Sequence, residues 1–142
     1  MTRKRINLLG RLHEARKRLR DAAAAQAQRA GWAEKQAQDK QVLAQNDLNH
    51  LLNQGPFGPA SALILFDEER QQAKENIAAA ESDVLVASKH AKQKRVELMQ
   101  KERERRVTEK LLDRAQSELL LMQKKQEQKL LDDRNQDKAG DA

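Results

Sequence analysis

Between residues 66 and 126 the chain repeats every seven residues in steps of four and three. The stripe runs Phe66, Arg70, Ala73, Ile77, Ala80, Val84, Ala87, Ala91, Lys94, Leu98, Lys101, Arg105, Thr108, Leu112, Ala115, Leu119, Met122 and Gln126. A helix with that spacing keeps one narrow seam turned toward a partner helix. A second, weaker stripe precedes it through Leu12, Ala15, Leu19, Ala22, Gln26, Ala30, Ala33, Ala37, Ala44, Leu48 and Leu51. Between them, residues 53–59 hold both prolines of the chain. Gly55 suits the left-handed residue past a helix end, and Pro59 suits the start of the next helix. The pattern predicts an all-α fold, an antiparallel coiled-coil hairpin of two long helices. They are expected over about residues 3–53 and 61–134, with a reversal over about 54–60 and a disordered tail over 135–142.

Composition agrees with a thin seam. Of 142 residues, 2% are aromatic and 35% charged, which leaves too little bulk for a thick core. High charge also marks disordered chains, but the sustained periodicity argues for helix. There is no cysteine, so a disulfide framework and Cys-ligated metal sites are excluded. The only apolar run near the N-terminus is Ile6 to Leu9, and no segment nears the ~18 apolar residues of a membrane helix. A cytoplasmic protein without direct membrane insertion is expected.

Length and charge are unevenly distributed. The first helix would extend about 75 Å and the second about 110 Å, so the second must overhang. With the reversal centred near Phe57, residue i faces about 114 minus i. The N-terminus then meets the region of Leu111, and Leu119 to Met122, Leu130 and Leu131 are left without an intramolecular partner. Residues 1–20 carry a net charge of +7 and residues 89–114 a net of +5, whereas residues 21–88 carry −5. One end of the hairpin is thus basic, a costly juxtaposition unless acids or a negative partner compensate. Glu102, Glu104 and Glu109 can pair along the second helix, each pair contributing about 0.2–0.5 kcal/mol. Lys94, Lys101 and Arg105 fall on the seam and should loosen it.

Single residues add little chemistry. Trp32 is expected near Ser82 and Asp83, packed partly against Ala79 and Val86, with a partner-anchoring role as the alternative. His13, His50 and His90 lie far apart, and no second ligand stands at metal spacing. No Gly-rich phosphate loop is present, and the acids at Asp67-Glu68-Glu69 suit the first turns of a helix. No enzyme, cofactor or metal is expected. The run Arg16-Lys17-Arg18-Leu19-Arg20 could bind nucleic acid through counterion release, but no aromatic residues interleave, so no specific nucleic-acid partner is expected.

One segment carries a family resemblance. It reads Lys101-Glu102-Arg103-Glu104-Arg105-Arg106-Val107-Thr108-Glu109-Lys110-Leu111-Leu112-Asp113-Arg114, followed by a Gln-, Glu- and Lys-rich continuation to Asp132. This resembles the FliJ family of flagellar export proteins and its injectisome counterparts of the YscO type. The resemblance in motif spans about thirty residues; size, basic N-terminus and two-helix plan agree as well. It implies a non-enzymatic central stalk of a type III protein export apparatus, peripheral at the inner membrane. Such a stalk inserts its terminal end into a hexameric export ATPase, promotes the ring's assembly and activity, and links it to the export-gate membrane protein. Some members also bind export chaperones.

Carried onto this chain, the ATPase contact falls on Arg16, Arg18, Arg103, Arg106, Glu109, Lys110, Leu112, Leu119 and Met122. The gate contact falls on Leu48, Phe66, Ala73 and Ile77; the chain departs from the family there in having no Tyr. The competing expectation is a self-associating coiled-coil scaffold or adaptor, paired through the Leu119 face and unconnected with export.

Overall fold

The computed structural model describes residues 2–55 and 58–140. It is all-α: helix α1 spans Thr2–Gln54 and helix α2 spans Ala60–Gly140, and among the described residues there is no strand. Ala, Leu, Gln, Lys, Arg and Glu dominate both helices, and neither contains proline, so propensity and seam agree. At the end of α1, Gly55 adopts φ 65°, and its N–H donates to the Leu51 carbonyl at 3.3 Å. That is the left-handed cap expected there. Pro59 stands immediately before α2, where its carbonyl accepts the Ala62 N–H at 2.9 Å. Pro56 and Phe57, the expected centre of the reversal, lie outside the described residues.

The contacts divide the chain into two compact units. Unit 1 joins Met1–Asp21 to Met99–Ala142, and unit 2 is Ala22–Leu98. Unit 2 is a helical hairpin with a small-residue seam, in which Ala23, Ala30, Ala80 and Ala91 are buried. Alanine at these positions lets helix backbones approach closely, so burial is achieved with little side-chain volume. In unit 1 the buried residues are Thr108 and Ala115, and half-buried Ile6, Leu9, Leu112 and Leu119 supply the apolar flanks.

The α2 stripe is as expected through Leu119, with Arg70 the one exposed position; Met122 and Gln126 are also exposed. The α1 stripe needs a correction. Ala30, Ala37, Ala44, Leu48 and Leu51 are buried or half-buried, but Leu12, Ala15, Leu19, Ala22, Gln26 and Ala33 are exposed. The seam instead runs through Ile6, Leu9, His13, Arg16, Arg20, Ala23, Ala27 and Ala30, one residue out of phase with the expected stripe.

Register differs too. The 114-minus-i rule would set Arg16, Arg20 and Gln26 beside residues 98, 94 and 88. Arg16 bonds Thr108, Arg20 pairs with Glu102, and Gln26 accepts from Lys94. The departure grows with distance from the reversal, from 6 residues at Gln26 (94 against 88) to 10 at Arg16 (108 against 98). Next to the reversal Ala62 and Phe66 are half-buried, and Leu63, Ile64 and Leu65 between them are exposed. Leu119, expected to lack a partner, is half-buried, and the uncovered part of α2 begins after half-buried Gln123.

Trp32 is 63% exposed, and Lys35 of its own helix lies 6.0 Å from the ring centroid. The tail expected to be disordered from Asn135 continues as helix to Gly140, with Lys138 favourably placed against the dipole in the last turn. No described helix is long and apolar enough to cross a membrane.

Candidate partner-binding site

Unit 1 brings the basic start of α1 against the motif-bearing stretch of α2. Because the α1 seam is one residue out of phase with Leu12 and Leu19, Arg16 and Arg20 enter the interface. Arg16 Nη1 donates to the Thr108 hydroxyl at 2.6 Å and to the Glu104 carbonyl at 3.1 Å. The Thr108 hydroxyl in turn donates to that same carbonyl at 2.9 Å. Thr108 has no solvent exposure at all, so its hydroxyl is fully committed to these partners. A buried hydroxyl without them would be costly.

Beside this cluster lies an ionic network centred on Glu102. Arg105 binds it bidentately, Nη2 to Oε1 at 2.7 Å and Nε to Oε2 at 3.2 Å. Its remaining Nη1 donates to Glu109 Oε2 at 2.9 Å. Arg106 approaches Glu102 Oε1 at 3.4 Å, and from the other helix Arg20 Nε stands 3.3 Å from Oε2. Paired forks of this kind are among the stronger charge-assisted bonds. The hydrogen bond from Arg105 holds the Glu102 carboxyl down at about 2, against the opposing effect of desolvation and with help from the charges of Arg105, Arg20 and Arg106. The same hydrogen bond raises the Arg105 guanidinium.

The basic seam positions therefore bring their own acids. Arg105 has Glu102 and Glu109, Lys94 has Glu97 at 3.3 Å, and Lys101 has Glu104 at 3.6 Å. Buried His13 Nδ1 has no hydrogen-bond partner among the described residues. Charge repulsion in unit 1 is thus offset locally, three or four residues along one helix, and across the seam through Arg20.

The expected ATPase-contact residues separate into two groups. Arg16, Glu109, Leu112 and Leu119 are half-buried in the seam, whereas Arg18, Arg103, Arg106, Lys110 and Met122 are exposed. Arg16 is tied across the seam to α2 and Glu109 is paired with Arg105 of its own helix, so a partner surface would have to use the second group. The expected gate residues Leu48, Phe66, Ala73 and Ile77 are all half-buried in the unit 2 seam. The apolar side chains actually presented near the reversal are Leu52, Leu63, Ile64 and Leu65, each 46–63% exposed. Sequence reasoning missed Arg20 as a cross-helix partner and missed this exposed cluster.

Among the described residues, no group of three or more His, Asp or Glu side chains could hold a metal. Comparison with known protein families, curated proteins and solved structures produced no match.

Proposed function

We infer that this protein is a non-enzymatic central stalk of a type III protein export apparatus, flagellar or injectisome. It promotes assembly and activity of a hexameric export ATPase and links the ring to the membrane export gate. The observation that carries the reading is unit 1, where the basic N-terminal segment and the Lys101 to Arg114 motif share one helical pair with exposed arginines on its outside. A ligand that binds only the assembled ring stabilises it by mass action, so such a stalk needs no chemistry of its own. Export chaperones are further partners on this reading.

The test is stimulation of a purified export ATPase. Reversing charge at Arg18, Arg103 and Arg106 should abolish stimulation while leaving helix content unchanged. Undiminished stimulation by that variant would refute the assignment of this end to the ring. Arg16 is unsuitable for the purpose, because its loss would disturb the seam.

The exposed leucines toward the end of α2, Leu120 and Leu121 and, in the uncovered segment, Leu130 and Leu131, favour a second reading, a self-associating scaffold. Sedimentation separates the two: a stalk for one pore stays monomeric at low micromolar concentration, and a scaffold gains mass as concentration rises.

A further inference from the structure

Residues 48–66, which close α1 and open α2, contain no Asp, Glu, Lys or Arg, whereas the longest such run elsewhere is seven residues, Ala22 to Gln28. In a chain that is 35% charged, that gap sets the reversal end apart from every other surface of the hairpin. Large apolar side chains stand in the open there: Leu52 is 46% exposed, Leu63 50%, Ile64 63% and Leu65 58%. All four belong to unit 2.

The three on α2 are consecutive. At about 100° per residue they span an arc of about 200°, and half-buried Ala62 and Phe66, just before and just after them, mark the side that faces the seam. The apolar surface therefore covers the outward half of the helix and is not a single stripe. A protein groove that receives a helix reads a stripe at three- and four-residue spacing. Protein hot spots are also enriched in Trp, Tyr and Arg, and none of these occurs in residues 48–66. A fluid apolar phase needs neither stripe nor anchor, only apolar area. The flanks supply a sign. Asp47 stands on one side and Asp67, Glu68 and Glu69 on the other; among the described residues only Asp67 of these is in an ion pair, with Arg70 at 3.5 Å. An anionic surface would repel these acids, and the outward amines of zwitterionic headgroups would not.

We propose that the reversal end of unit 2 docks on a zwitterionic lipid bilayer, with Leu52, Leu63, Ile64 and Leu65 seated at the boundary between headgroups and acyl chains. The contact is superficial, since no described helix is long and apolar enough to cross a membrane. Affinity comes from apolar area without cationic help, so binding is reversible and insensitive to salt. Nothing in this contact depends on the export reading.

The chain has no cysteine, so Ile64→Cys and, as a control, Leu85→Cys each accept a single environment-sensitive fluorophore. Leu85 is 72% exposed and lies outside the charge-free stretch. Mixed with small phosphatidylcholine vesicles, the full chain should show blue-shifted emission at position 64 and none at position 85. The response should persist at high salt and diminish when phosphatidylserine is added to the vesicles. Combining Leu63→Gln, Ile64→Gln and Leu65→Gln should lower the share of protein that floats with the vesicles by about tenfold, with helix content by circular dichroism unchanged. Equal responses at positions 64 and 85, no response at either, or flotation that survives the triple change would overturn the proposal. So would binding that needs phosphatidylserine and disappears in salt, which would place the contact on the basic residues of unit 1. A photocrosslinker at position 64 that captures protein instead of lipid in the source organism would also overturn it, and an export-gate protein in that adduct would support the export reading at the same time.

Discussion

Thr108 is a polar residue at a seam position where packing alone would favour an aliphatic one. Its hydroxyl accepts from Arg16 and donates to the Glu104 carbonyl, so it converts a cationic side chain into a cross-helix tie. Thr108→Val keeps the shape but strips the guanidinium of an acceptor, and we expect a loss of about 1–2 kcal/mol by urea denaturation. With Arg16→Leu already in place the same change should cost far less, giving a coupling of about 1 kcal/mol or more in a double-mutant cycle. An additive pair of losses would mean the tie contributes nothing. At Glu102 the folded carboxyl titrates near 2, below the ordinary 4.5. A depressed pKa means that its stabilising contribution is complete above about 4.5 and is lost as pH falls toward 2. Acid denaturation followed by circular dichroism should therefore be less steep in that window for Glu102→Gln, which has no proton to take up. Identical slopes would place the acid sensitivity elsewhere.

At the scale of the helices, the phase of α1 decides which side chains are spent on the seam. From Leu51 back to Ile6 the observed seam takes alternate steps of three and four without a break, whereas the expected one needed consecutive steps of four at Ala22, Gln26 and Ala30. The correct phase was therefore legible in the spacing. It was obscured because hydrophobicity pointed to Leu12 and Leu19, while the continuous phase runs through His13, Arg16 and Arg20. Steric tests distinguish the two. Ala91 is completely buried, so Ala91→Leu should push the helices apart and cost about 1–3 kcal/mol. Ala33→Leu, on the expected but exposed stripe, should change stability by no more than about 0.5 kcal/mol. Equal penalties at the two sites would contradict the observed phase.

For the whole molecule, the two units differ in what holds them. Unit 2 has a tight alanine seam, and unit 1 has ion pairs that are mostly half-exposed and so individually weak. Amide hydrogen exchange should accordingly be faster for residues 3–20 than for residues 23–44, and added salt should widen the gap because it screens the ionic seam. Exchange that is uniform along α1 and unaffected by salt would rule out this difference.

The sequence by itself determined the helical class, the two-helix order, the Gly55 cap and nearly all of the α2 seam, since each follows from local spacing and propensity. The basic character of the N-terminal segment was equally plain. Only the tertiary structure decided the register, because that depends on which side chains of the two helices pair with each other. Only it showed that Arg16 reaches across to Thr108 and the Glu104 carbonyl and that Arg20 pairs with Glu102. The bonds and the register depend on pairing energies between segments about ninety residues apart, which no local pattern in either segment encodes.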